Sequence, residues 1–167
     1  MAGKRAKICG LSLILLGIIV SCMLPVQVRN RVKNTAKILP QPEGVELLIE
    51  ALRDTSGSDC LGAAYYWVYG SNMPLEEVMA SYRIALLDAG WEEVEVNKAQ
   101  LAPQFRERML GIFRKGGYLL EVERVDIHKA VLFTGAYGQK ADLEAKAQEF
   151  KALLMITLSY STCDVWF

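Results

Sequence analysis

Twenty-one consecutive uncharged residues, Ile8 to Val28, come directly after Lys4, Arg5 and Lys7. A basic start before an apolar stretch is the pattern of a secretory signal peptide or an N-terminal anchor. The run also matches the roughly 20 apolar residues that cross a bilayer. It includes Leu13-Ile14-Leu15-Leu16 and Ile18-Ile19-Val20, and no polar residue recurs at the spacing that would make it a half-buried core helix. Residues 1–26 are therefore expected to form a signal peptide or a transmembrane helix, and the folded domain must be built from the residues beyond them. Basic flanks of three and four Lys/Arg on the two sides barely set the orientation. A segment so close to the start initiates translocation, so the domain is expected outside the cytoplasm, at the bacterial cell envelope.

Within the run, Ile19-Val20-Ser21-Cys22 resembles a bacterial lipobox. The resemblance implies thioether attachment of a diacylglycerol to the Cys22 sulfur and cleavage before that residue. An uncleaved single-span anchor, with Cys22 as a passive apolar residue, is the alternative; both stay open. Residues 27–43 read as a basic tether, because Pro40 and Pro42 forbid a continuing helix and hold the chain extended. Its bases are expected either to be solvated or to sit on anionic headgroups.

The neutral total charge hides an asymmetry. Residues 1–43 carry seven of the 19 Lys/Arg and one of the 19 acids, a net +6, which leaves −6 on residues 44–167. An acidic domain with scattered bases argues against nucleic acid, whose binding rests on clustered Lys/Arg. Of the four cysteines, Cys9 and Cys22 lie in the hydrophobic run, which leaves Cys60 and Cys163 in the domain. Outside the cytoplasm an even remainder permits one disulfide between them, with two buried free thiols as the alternative. No CxxC or Cys/His ligand spacing points to a metal.

Residues 44–167 read as one α+β domain. Val45, Leu47 and Ile49 alternate with Glu46 and Glu50 as in a half-buried strand. Leu61–Tyr69, aromatic and β-branched, forms a second strand across a turn at residues 54–59. Pro74 opens a helix carrying Leu75, Val78, Met79, Tyr82, Leu86 and Ala89 at helical spacing, and Gly90 closes it. Residues 91–96 form a strand, and residues 107–115 and 118–126 form a hairpin across Gly116-Gly117. Residues 127–138 stay ambiguous. A short helix over 141–151 and a last strand over 154–160 complete the order β-β-α-β-β-β-(α)-β. The expected architecture is an antiparallel sheet of about six strands with one main helix on one face, preceded by the N-terminal hydrophobic helix.

The stretch Tyr66-Trp67-Val68-Tyr69-Gly70-Ser71-Asn72-Met73-Pro74-Leu75-Glu76-Glu77-Val78, with Tyr82, Leu86, Gly90 and Trp91, resembles a module of uncharacterised exported bacterial proteins. There a strand, a Pro-Glu-Glu-Val helix start, a helical Tyr and a Gly-Trp helix end occur together. The resemblance covers about a quarter of the chain. It implies an exported α+β domain and brings no catalytic residues.

Chemistry is sparse. His128 is the sole histidine, so any metal cluster or nucleophile–base arrangement would have to use it. A surface position is expected for it. No phosphate-cradling glycine loop occurs, and no cofactor, metal-binding or catalytic residue is expected. Glu92-Glu93-Glu95 and Glu121-Glu123-Asp126 lie on predicted strands, where same-face acids either hold a cation or basic partner or form a solvated face; the solvated face is preferred. Tyr66 is expected to be covered by another element, with an exposed ring for carbohydrate or peptide as the sharper alternative. The expected function is a membrane-tethered, non-catalytic binding or assembly domain with a protein partner at the envelope. A carboxylate-dependent envelope hydrolase and an accessory subunit of an integral membrane complex are the alternatives.

Overall fold

The computed structural model describes residues 25–55, 61–95 and 103–162. The chain is α+β, with a six-stranded antiparallel sheet. The strands are β1 (Val45–Asp54), β2 (Gly62–Ser71), β3 (Glu92–Glu93), β4 (Met109–Lys115), β5 (Tyr118–Val125) and β6 (Ala152–Ser161). The helical elements are α1 (residues 25–38), α2 (Leu75–Asp88), α3 (Pro103–Arg106), α4 (Ile127–Thr134) and α5 (Lys140–Ala147), with a 3-10 turn at Tyr137–Gln139.

Sheet order is β1-β2-β6-β5-β4-β3. The C-terminal strand is thus inserted between β2 and β5, pairing Gly62 with Ser161 on one side and Tyr118 with Tyr160 on the other. Leu153 to Leu158 are buried without interruption, because both faces of this strand are covered. A continuous apolar run is the signature of that environment. The long strand β1 and the two-residue β3 are the edges.

One face of the sheet carries Trp67, Tyr69, Phe113, Leu120, Leu154, Ile156 and Leu158, and α2 buries Leu75, Val78, Met79, Tyr82 and Leu86 in the same cluster. The helix ends as its sequence dictates. Gly90 adopts φ +79°, its N–H donates to Leu87 O (2.9 Å), and Trp91 N–H donates to Leu86 O (3.0 Å). This is a Schellman closure with apolar residues at both of its contact positions.

The opposite face carries a second cluster, in which Ile49, Ala64, Tyr66, Val68 and Met155 meet Ala130 and Val131 of α4 and Leu143 of α5. Helices therefore cover both faces, which corrects the expectation of one helix on one face. The stretch left ambiguous contains α4. Asp126 Oδ1 accepts from Lys129 N–H at its start (2.8 Å), and Gly135 at φ +73° ends it.

The larger difference lies at residues 27–38, expected as part of an extended tether and found within a helix that covers 25–38. Val28, Val32, Ala36 and the adjoining Leu39 join the α2-side cluster. Arg29 pairs with Asp54 (3.3 Å), Arg31 donates to the Tyr160 hydroxyl (2.9 Å), and Gln41 hydrogen-bonds the Tyr69 hydroxyl. The basic residues are the solvent side of a docked helix, and Pro40 and Pro42 lie just past its end. Among the described residues no helix is long and apolar enough to cross a membrane; residues 1–24, which hold most of the uncharged run, lie outside them.

Burying Val28, Val32 and Leu39 contributes roughly 1.5–3 kcal/mol each, a sum comparable to the whole stability of a small domain. A chain starting at residue 44 is therefore expected to lack a cooperative thermal transition in circular dichroism. A chain starting at residue 25 is expected to keep one.

Candidate functional site

Two polar arrangements stand out against the apolar sheet. The first lies on the face covered by α4. Alternation along β5 puts Glu121 and Glu123 on this face. Glu123 is only 8% exposed, and the Lys129 ammonium, one turn into α4, makes an ion pair with it. Lys129 also sits 5.4 Å from the Phe133 ring centroid. The chain reverses from β5 into α4 at the Asp126 cap, which is why residues six apart in sequence meet side chain to side chain. Burial, then the neighbouring Glu123 carboxylate, push the Glu121 carboxyl above its ordinary value, and Lys129 opposes the shift. Tyr66 completes the layer. It is 8% exposed, with the Phe133 ring 6.3 Å away, so the reading of a covered ring holds. Burial pushes the pKa of its hydroxyl up, Arg53 opposes this, and Glu121 adds to it. Arg53 Nη1 donates to Leu132 O (3.2 Å) and Phe133 O (3.1 Å), closing the carbonyl end of α4.

The solvated acidic face preferred for Glu121 and Glu123 is therefore corrected. The basic partner exists, and it comes from inside the chain. The other acidic set behaves differently. Glu92 and Glu93 are exposed and pair with Arg114 (3.1 Å) and Arg83 (3.0 Å), contacts of small energetic weight.

The second arrangement is a groove at the end of the sheet where β5 stops and β6 begins. Two depressions of about 430 and 390 Å³ share Val125, Lys151, Ala152 and Leu153 as a common floor. One wall is the entry to α2, with Asn72, Met73 and Pro74; the other is the start of α4 and the end of α5, with Ile127, His128, Ala147 and Phe150. Phe150 packs against Gly70, where any Cβ would run into its ring. The rim is charged. Arg124 pairs with Glu76 (3.3 Å), His128 Nδ1 lies 3.7 Å from Glu144 Oε1, and Lys140 Nζ lies 3.6 Å from the same oxygen. Lys151 is exposed between the two depressions. Apolar Val125, Ala152 and Leu153 among charges of both signs suit an extended chain segment better than a small anionic molecule. His128 is a surface residue, 71% exposed on its side chain.

The candidate lipidation residue Cys22 and the candidate disulfide partners Cys60 and Cys163 lie outside the described residues, as does Cys9. Among the described residues no group of His, Cys, Asp or Glu is arranged to hold a metal ion. Lys129, Arg53 and Lys151 were missed by sequence reasoning. The Asp126 and Gly135 caps, which bracket α4 and bring Lys129 back over β5, were the available signal for the first of them. Comparison of the chain with known protein families, characterised proteins and solved structures finds no match.

Removing one partner of the buried pair leaves the other charge uncompensated, at roughly 3–5 kcal/mol. Lys129→Ala is therefore expected to lower the urea midpoint strongly, whereas the double change Glu123→Leu/Lys129→Met restores most of the loss. Glu121 carries the opposite sign. Its folded pKa lies above the unfolded one, so its contribution is fully present below the ordinary glutamate value and is lost as pH rises through the raised one. Glu121→Gln is expected to stabilise the fold at pH 7, with the gain shrinking as pH falls through the raised value and gone below the ordinary glutamate value. Urea titrations at several pH values read the trend.

Proposed function

We propose that the chain is a membrane-held, non-catalytic binding or assembly domain at the outer face of a bacterial membrane. Its groove at the β5–β6 end takes a segment of a protein partner. The observation that carries the binding half is the groove itself, in which apolar Val125, Ala152 and Leu153 lie among charges of both signs. The membrane half rests on the uncharged run Ile8–Val28 behind Lys4, Arg5 and Lys7. A hydrolase acting through carboxylates asks for two acids converging in a cleft. Glu121 and Glu123 instead share one strand, and Glu123 is engaged by Lys129.

We further propose the Cys60–Cys163 disulfide. Neither sulfur lies among the described residues; the support is the strand pairing that leads up to both. Gly62 pairs with Ser161, Thr162 N–H donates to Leu61 O (2.9 Å), and Leu61 N–H donates to the Thr162 hydroxyl (3.1 Å). Cys60 and Cys163 come next in the sequence, immediately before Leu61 and immediately after Thr162. The proposal continues this register by one residue, and directly opposed strand positions fall within the Cα separation a disulfide spans. Closing a loop of about 100 residues stabilises by roughly 4–5 kcal/mol in the chain-entropy model.

The test is the intact mass of protein extracted from membranes without reducing agent. A chain beginning at diacylglyceryl-Cys22, or a full-length chain, is expected in the membrane fraction, in either case two hydrogens lighter than its reduced form. Recovery in the soluble fraction overturns the membrane reading. A fully reduced mass overturns the disulfide.

A further inference from the structure

We infer that the domain does not hang from its anchor but stands on the bilayer, with one defined end of the sheet against the lipid surface and the groove at the far end. The inference rests on the membrane anchor proposed above.

The first step is residue accounting. An extended tether of residues 27–43 would give the domain a reach of about 55 Å, at roughly 3.3 Å per residue. The chain is instead helical at residue 25, and Val28 is already core at 5% exposure. A side chain packed in the domain core is not free to enter the bilayer, so a span must end before Val28. That leaves Ile8 to Gln27, close to the roughly 20 residues a crossing requires. From Pro25 to Val28 the helix advances only about 4.5 Å. Lipidation at Cys22 gives the same result, because that residue is six positions from Val28. Either anchor places the start of α1 within roughly 10 Å of the membrane boundary.

The second step identifies the end that α1 brings there. Arg29 reaches Asp54 at the end of β1, and Arg31 reaches Tyr160 near the end of β6. The strand register places Ala63, Tyr118 and Lys115 at the same level as Tyr160. This end carries exposed Val26, half-exposed Leu61, Tyr118 and Tyr160, and the two arginines. The Tyr118 and Tyr160 rings pack with centroids 5.2 Å apart, and Arg31 lies 5.7 Å over the Tyr160 ring. Tyrosines with apolar bodies and polar tips suit the headgroup layer, and arginines suit anionic lipid. The ten-residue strand β6 runs from this end to the groove, a distance of about 30 Å at the usual rise. The groove therefore opens away from the membrane at a fixed height.

The test uses the full chain in vesicles of phosphatidylcholine and phosphatidylglycerol, some lipids carrying a nitroxide on the headgroup. A fluorescent amino acid is placed at exposed Lys115, or at exposed Gln148 on the groove rim. Several-fold stronger quenching at 115 than at 148 is expected. Equal quenching in protein that still co-floats with the vesicles overturns the inference and leaves the anchor intact. Failure to co-float overturns the anchor reading, and the inference with it. A ten-residue Gly-Ser insertion between Leu24 and Pro25, with a root-mean-square length of roughly 18 Å, is expected to abolish the difference. Persistence of the difference overturns the role of α1 and assigns the orientation to the lipid affinity of the surface alone.

Discussion

Strand β6 is the constraint on which the rest of the molecule depends. It comes last in the chain, yet it occupies the interior of the sheet and is buried on both faces from Leu153 to Leu158. A strand with two apolar faces cannot be satisfied by one helical layer, so the sheet must recruit helices to each side. The connection after β5 supplies α4 and α5 to one face before the chain returns as β6. On the other face α2 lies toward the β5-β4-β3 side, with contacts at Arg124, Gly111 and Glu93, and α1 joins the same cluster as Tyr69 and Trp67. The N-terminal helix is thus part of the core.

The same geometry explains why a charged pair survives under α4. The short helix starts immediately after β5 at the Asp126 cap, so its first turn projects back over the strand that precedes it. Position 129 then faces Glu123, and a lysine there neutralises a carboxylate that burial would otherwise penalise. Burial and the Glu123 carboxylate push the Glu121 carboxyl up, and Lys129 opposes the shift without cancelling it. Side by side on β5, the two acids are a compensated and an incompletely compensated version of the same problem. Such a pair contributes little net stability over apolar residues, but it fixes one packing of α4 among several that an all-apolar layer would permit.

Legibility in the sequence tracked the locality of the interactions. Helix α2 was plain because its start, its stripe and its Gly90 end all lie within one segment. The hairpin across Gly116-Gly117 was plain for the same reason. Helix α1 was misread because Arg29, Arg31, Lys33 and Lys37 and two prolines dominate its composition. Its buried residues recur at helical spacing, but that stripe has meaning only once a sheet face exists to receive it. Helix α4 was ambiguous because Leu132 and Phe133 are exposed apolar residues that blur the periodicity, although its two caps were in place. The groove had no local signature, since residues 72–76, 124–128 and 144–153 meet only through the placement of β6. Sheet order was likewise beyond reach, because no single segment encodes that the last strand sits in the middle.

On the proposed arrangement, the route from anchor to groove contains no flexible joint among its described elements. Helix α1 is bound to the sheet by buried side chains and by contacts to the ends of β1 and β6, and the sheet carries the groove at its opposite end. A flexible tether over residues 27–43 would let the groove sweep a hemisphere, and a partner in the same membrane would meet it at a concentration diluted over that volume. A docked helix removes this freedom in the unbound state, so the orientational entropy is lost on folding rather than on binding. A shallow groove with a mixed-charge rim offers modest affinity to a partner arriving from solution. Held at one height and one orientation, the same groove is suited to a partner whose own segment is presented about 30 Å from the bilayer.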